Sequence, residues 1–213
     1  LGINNYKYRK KITLNAGNSG TLARLILGLL VHAKIKIKII GDKSLSKRDF
    51  LRVSKPLEKF GAKIKTNSGK LPLTILGSKN PRPIKYIENR GSAQCKSSIM
   101  LAALNTKGKT IIRAKKSRDH SELLFKHLKI PIKIKKNAKY DLITINGKAK
   151  IRPINYKIPS DISSSAFFVA LTALTKDSKL KIKNVNVNPT RIGLIKILKK
   201  MGIKIILRNL KRY

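Results

Sequence analysis

The 213-residue sequence has no tryptophan, one cysteine, three histidines and only nine acidic residues. The lone cysteine, Cys95, excludes an intramolecular disulfide, and with so few histidines no recognisable zinc spacing exists. A reducing compartment fits, and the expected location is cytoplasmic. No apolar stretch approaches the roughly 20 residues that span a bilayer, and Leu1 opens no basic-then-apolar signal segment, so a soluble mature protein is expected. Leu1 is not an initiator methionine, and the chain breaks off from Arg208 to Tyr213 just behind the apolar run Ile203 to Leu207. Both ends are therefore expected to be truncated.

What is abundant is positive charge. Fifty Lys and Arg against nine Asp and Glu give 50 − 9 = +41, with 41% hydrophobic residues. A polyanion partner is the first thought. A nucleic-acid surface, however, gathers its cations into a patch or tail with aromatics for stacking, whereas here lysines alternate with isoleucines through whole strands, as from Lys34 to Ile40. Lys, Ile and Asn are also the residues an A+T-rich coding sequence enriches, so much of the charge reads as a drifted, solvated surface.

The pattern along the chain is α/β. A β-like run at Lys11 to Leu14 leads through a Gly-rich loop into a helix from Thr21 to Val31, with Leu22, Leu25, Ile26 and Leu29 at helical spacing. A strand follows at Lys34 to Ile40, then a turn at Gly41-Asp42-Lys43. A second helix carries Phe50, Val53, Leu57 and Phe60 before Gly61 stops it, and strands resume at Lys63 and at Pro72 to Leu76. The order returns with a helix at Gln94 to Leu104, a strand at Thr110 to Arg113, a helix opened by Ser117-Arg118-Asp119-His120 and further strands. It begins a third time with a helix at Ser163 to Leu174, a strand at Lys179 to Val185 and a helix at Ile192 to Met201. Arg48, Arg118 and Arg191 stand at the start of the second helix of each unit, about 70 residues apart. Amphipathic helices against sheets predict a multilayer α/β domain whose repeats share a core. Pro153 and Pro159 bracket a polar stretch, which places a boundary near Tyr156 to Ser160: residues 1–157 form one domain and 158–213 open another.

Two small-polar loops carry the candidate chemistry. Asn18-Ser19-Gly20-Thr21 joins strand to helix, where unpaired N–H groups and the helix dipole favour an anion and Gly20 admits close approach. By itself the loop is equally an ordinary cap, with Ser19 or Thr21 as the capping residue. It is no nucleotide loop, because neither the P-loop Lys-Ser/Thr nor Gly-x-Gly-x-x-Gly is present. Arg48 puts a forked donor near a helix start, suited to a carboxylate or phosphate, or simply to solvent. Gly91-Ser92-Ala93-Gln94 repeats the loop with a hydroxyl and a carboxamide, and alone is another cap.

Six stretches taken together resemble the 5-enolpyruvylshikimate-3-phosphate synthase family, the 3-phosphoshikimate 1-carboxyvinyltransferases. They are Asn18 to Gly28 (NSGTLARLILG), Gly41 to Arg52 (GDKSLSKRDFLR), Ser92 to Leu104 (SAQCKSSIMLAAL), Ser117 to Glu122 (SRDHSE), Asp161 to Phe168 (DISSSAFF) and Asn188 to Leu194 (NPTRIGL). The resemblance runs through most of the chain. It implies two similar domains of βαβαββ units with ligands between them, of which this chain holds most of the first and the opening unit of the second. It further implies transfer of the enolpyruvyl group of phosphoenolpyruvate to the 5-hydroxyl of shikimate 3-phosphate, with release of phosphate. That step belongs to the shikimate pathway, on the route to chorismate and aromatic amino acids.

By the same resemblance Gly20 and Arg48 bind phosphoenolpyruvate, Ser92, Ala93 and Gln94 hold shikimate 3-phosphate, with Gln94 also touching phosphoenolpyruvate, and Arg118 binds the substrate phosphate. No metal or organic cofactor, nucleic acid or membrane is implied, and a monomer is expected. Asp49 replaces the family's usual Pro and Ser160 its usual Gly, and the sequence leaves open what an acid beside Arg48 does to its hold on an anion. The family's N-terminal Lys-Ser pair and C-terminal acid–base residues have no counterparts, so no catalytic residue is expected here and the chain alone is expected to be inactive. The sister transferase acting on UDP-N-acetylglucosamine shares the fold but commonly uses a loop cysteine, whereas Cys95 falls in an expected helix as a packing residue. A basic nucleic-acid-binding module is the alternative of another class.

Overall fold

The computed structural model describes residues 12–210. Lys11, expected to open the first strand, lies outside them, as do Leu1 and residues 211–213. The chain divides into two compact units between Ile151 and Arg152, ahead of the expected break near Tyr156 and within a stretch, 149–159, that forms no helix or strand.

The first unit is built from two copies of one design. The first copy runs β1 (Ile12–Asn15), α1 (Gly20–Leu30), β2 (Lys36–Ile40), α2 (Lys43–Ser46), α3 (Leu51–Glu58), β3 (Lys63–Asn67) and β4 (Lys70–Leu76). The second runs β5 (Lys85–Glu88), α4 (Ala93–Leu104), β6 (Lys109–Lys115), α5 (His120–His127), β7 (Ile132–Lys136) and β8 (Tyr140–Asn146). Each forms a four-stranded sheet, ordered β1-β2-β4-β3 and β5-β6-β8-β7. In both, the first pair is parallel across a right-sized helical crossover and the other pairs are antiparallel. The short α2 was expected as a turn, and the four-residue β5 was not expected at all.

Alternation explains the lysines. In β2, Ile37 and Ile39 are buried while Lys36 and Lys38 face solvent, and β3 and β7 likewise expose Lys63, Lys65, Lys133 and Lys135. The charge therefore coats the outer faces of both sheets while the inner faces feed the core. That core is continuous across the two copies: Leu27, Val31, Ile39, Phe50, Leu57, Phe60 and Leu73 of the first join Ile99, Met100, Ile112, Ile143 and Ile145 of the second.

The two copies meet where α1 packs on α4. Gly28 makes this possible, because a Cβ there would sit 2.2 Å from the Ser98 carbonyl oxygen. Around that contact Ser98 Oγ donates to the Arg24 carbonyl at 3.0 Å, and His32 Nε2 lies 3.1 Å from the Ala102 carbonyl.

The second unit, from Arg152 onward, holds α6 (Ile162–Leu174) and α7 (Gly193–Lys200). The expected strand at Lys179 to Val185 is not formed: Val185 makes one isolated parallel bridge with Ser160. A strand needs a ladder, and among the described residues no antiparallel hairpin follows to pair with it as the β3–β4 hairpin pairs with β2 through β4. On α6, Phe167 is 80% and Leu174 87% exposed. Asp161 accepts from Ser163 N to cap α6 and pairs with Arg191 Nη2 at 2.8 Å, tying the start of α6 to the loop before α7.

Candidate anion site

The Gly-rich loop is both a cap and a cradle. Ser19 is the N-cap of α1, its hydroxyl accepting from Leu22 N at 3.1 Å. Thr21, the other candidate cap, instead accepts from Gln94 Nε2 at 2.9 Å. The loop is fixed from its other side by the α2 turn: Asn18 Nδ2 donates to Asp42 Oδ2 at 2.5 Å, and Asp42 N donates to the Gly17 carbonyl at 2.9 Å. Asp42 also caps α2 through Leu45 N, and these hydrogen bonds hold its carboxyl below the ordinary value.

Gly20 is buried, and its bare α-carbon faces cations. A Cβ built there would lie 3.0 Å from Arg24 Nη1 and 3.2 Å from Arg48 Nη1. The absent side chain thus lets two guanidinium groups close on the helix N-terminus, gathering positive charge complementary to a small anion.

Arg24 is the residue the sequence patterns did not single out. It sits within an otherwise apolar stretch of α1, yet it is 3% exposed. A cation interrupting the run Leu22 to Leu27 on a buried face was the available signal. Its guanidinium lies over the Phe50 ring, 5.1 Å from the centroid. Nη1 donates to Gln94 Oε1 at 2.8 Å and Nη2 to the Asp49 carbonyl at 3.0 Å, while Nε has no partner. Burial, with Arg52 and Arg48 adding repulsion against a smaller pull from Asp49, lowers its pKa to about 10. Positive charge is crowded here beyond what the local carboxylate offsets.

Gln94 is held at both ends, by Arg24 and by Thr21, so its carboxamide bridges the second copy to the first loop. Ser92 caps α4 by accepting from Cys95 N at 3.2 Å. Beneath it the buried Glu88 carboxylate accepts from Arg90 N and Ser92 N, each at 3.0 Å. Glu88 shapes the Ser92-Ala93-Gln94 turn from the end of β5, an element too short and too charged to stand out in the sequence. Ser92, Ala93 and Gln94 are half-buried, whereas Arg48 and Arg118 are exposed. Gly20, Arg24, Arg48 and Gln94 therefore form one cluster, with Ser92 and Ala93 adjoining it along α4. Arg118 belongs to the loop before α5, its carbonyl held by Lys96 Nζ at 2.9 Å.

Asp49 bonds to the backbone of α3 and lies near Arg90. Its carboxylate accepts from Leu51 N at 2.8 Å and lies 3.7 Å from Arg90 Nη1. The backbone turn entering α3 takes up one oxygen of the acid, and the other faces Arg90. Cys95 is buried, its thiol directed at the Arg52 carbonyl at 3.0 Å, and burial followed by the nearby Glu88 charge pushes its pKa up to about 12. A neutral, packed thiol is no nucleophile. Among the described residues no group of three or more His, Cys, Asp or Glu is placed to hold a metal, and no helix is long and apolar enough to cross a membrane.

The sequence profile of EPSP synthase (3-phosphoshikimate 1-carboxyvinyltransferase) matches residues 2–211. A 3-phosphoshikimate 1-carboxyvinyltransferase of Endomicrobium trichonymphae is 43% identical over 94% of this chain and 46% of its own length. The enzyme of the same name from Vesicomyosocius okutanii is 41% identical over 98% of the chain and 47% of its own length. The solved EPSP synthase of Acinetobacter baumannii superposes with a TM-score of 0.74 at 39% identity, covering 90% of this chain and 43% of that one. The chain thus spans about half the length of the curated relatives it matches. With matching motifs, a shared repeat topology and a profile covering nearly every residue, the chain belongs to the EPSP synthase (3-phosphoshikimate 1-carboxyvinyltransferase) family.

Proposed function

We propose that this chain supplies the anion-holding part of an enzyme that transfers the enolpyruvyl group of phosphoenolpyruvate to the 5-hydroxyl of shikimate 3-phosphate, releasing phosphate. The observation that carries the proposal is the bare face of Gly20 between Arg24 Nη1 and Arg48 Nη1. Phosphoenolpyruvate, a compact polyanion, is seated by Gly20, Arg48 and Gln94. Shikimate 3-phosphate lies beside it on Ser92, Ala93 and Gln94, with Arg118 taking its phosphate. Held in this way, the two anions lose their mutual repulsion and their freedom to separate, the largest contribution binding groups make to a bimolecular transfer. The reaction also requires protonation of the enol carbon as the hydroxyl attacks to form a tetrahedral intermediate. We assign no residue of this chain to that acid–base work.

In this reading residues 1–157 are most of the first domain and 158–213 open the second. The enzyme works as a cytoplasmic monomer without cofactor, nucleic acid or membrane. The family membership and the buried, uncharged Cys95 thiol weigh against the UDP-N-acetylglucosamine transferase. The lysines spread over two sheet faces weigh against a nucleic-acid module. The test follows phosphate release by the complete reading frame with both substrates, comparing wild type with Arg48→Ala and Gln94→Ala. A fall in kcat/KM of about 100-fold in Arg48→Ala, some 2.7 kcal/mol, is expected. Undiminished turnover in both variants overturns the assignment.

A further inference from the structure

Outside the anion cluster, one buried ion pair stands out. Lys96 is 1% and Glu122 3% exposed in their side chains, and Lys96 Nζ lies 2.5 Å from Glu122 Oε1. Both Glu122 oxygens are buried and neither makes a hydrogen bond, so the contact with Lys96 is an ion pair alone. Isolated buried pairs contribute little net stability, since desolvating both charges cancels most of their attraction, so a well-packed apolar pair would hold α4 to α5 as well. What an apolar pair cannot do is bond a carbonyl. Lys96 Nζ also donates to the Arg118 carbonyl at 2.9 Å, and one residue on, Ser97 Oγ lies 2.6 Å from Ser121 Oγ. Lys96 projects from the same helix whose first turn carries Ser92, Ala93 and Gln94, so a charge-assisted bond ties the Arg118 peptide to the frame of those three residues.

We infer that Lys96 is a positioning residue for the shikimate 3-phosphate site, fixing the Arg118 backbone relative to Ser92 and Gln94 so that the exposed guanidinium meets the substrate phosphate. Glu122, 2.5 Å away, keeps the lysine aimed. The inference rests on the proposed function above and deepens it. It predicts a loss confined to one substrate and transmitted through one arginine, because the phosphoenolpyruvate groups at Gly20 and Arg48 make no bond to Lys96.

The test uses the complete reading frame. Lys96→Met alone strands a buried carboxylate and invites misfolding, so the main variant is the double exchange Lys96→Met with Glu122→Leu, which removes both charges and retains volume. A tenfold or greater rise in the KM for shikimate 3-phosphate is expected, with the KM for phosphoenolpyruvate and the melting temperature near wild type. In an Arg118→Ala background the double exchange should add nothing further, since its effect runs through Arg118. An unchanged shikimate 3-phosphate KM overturns the inference. So does an equal rise for both substrates, or a loss that persists undiminished in the Arg118→Ala background. Absence of enolpyruvyl transfer in the wild type overturns instead the proposed function, and the inference with it. Should the double variant melt early, amide exchange over residues 117–121 decides: faster exchange there than in the rest of α5 supports the tether, and uniform exchange contradicts it.

Discussion

The two copies in the first unit share strand order, pairing and a serine cap at the same place, yet they present different chemistry. Ser19 and Ser92 each accept from the amide three residues on, Leu22 N and Cys95 N. Beneath the Ser92 loop lies the Glu88 carboxylate, which takes up two loop amides. Beside the Ser19 loop the Asp42 carboxylate accepts from Asn18 Nδ2, and the guanidinium groups of Arg24 and Arg48 stand against a glycine with no side chain. Capping is thus common to both loops and carries no ligand information. The neighbouring elements bring two guanidinium groups to the Gly20 loop, and Gln94 joins the two loops by bonding Thr21 and Arg24 across the interface.

The contact that brings the copies together is the place to break this comparison most severely. Gly28→Ala drives a Cβ into the Ser98 carbonyl region, where only 2.2 Å is available between backbones that cannot yield cheaply. Denaturant unfolding should show a loss of about 3 kcal/mol, and the anion cluster should come apart with it, because Gln94 and Arg24 sit on the two helices forced apart. A change under about 0.5 kcal/mol would mean the copies are joined elsewhere.

The equivalence of the caps is sharpened by a smaller exchange. Ser19→Ala and Ser92→Ala should each cost about 1 kcal/mol of stability. If one costs much more than the other in chemical denaturation, its hydroxyl does more than cap, and the symmetry drawn here fails.

The smallest expected effect concerns pH. His32, at the end of α1 beside α4, has its pKa lowered from the ordinary 6.5, chiefly by burial, with the Ala102 carbonyl opposing and Lys148 adding to the shift. The unfolded chain therefore binds a proton more readily than the folded one, and stability present above pH 6.5 is lost as pH falls through the folded value. His32→Gln should flatten that acid limb in thermal melts between pH 7 and 5. An unchanged slope assigns the acid sensitivity to other groups.

Much of this was legible in the sequence because hydrophobic periodicity and loop chemistry agree there. The helices at Thr21 and Gln94, the Lys-Ile alternation of β2 and the repeated order all follow from local patterns. Elements of four residues escaped: β5 is too short to show a period, and α2 reads as the turn it nearly is. The strand placed at Lys179 to Val185 has the right pattern but only a single bridging partner among the described residues, and pattern cannot supply a ladder. In the site, Gly20, Arg48, Ser92 and Gln94 stand in recognisable motifs. Arg24, Glu88 and Lys96 act through contacts some 70 residues away or through burial, which spacing alone does not encode.

The central claim is that the missing side chain of Gly20, between Arg24 and Arg48, makes the seat for phosphoenolpyruvate. Steady-state kinetics of Gly20→Ala in the complete reading frame test it most directly, since the added methyl would stand 3.0 and 3.2 Å from the two guanidinium groups. The account predicts a KM for phosphoenolpyruvate raised at least about tenfold, roughly 1.4 kcal/mol, with the KM for shikimate 3-phosphate close to wild type. An unchanged phosphoenolpyruvate KM would contradict it.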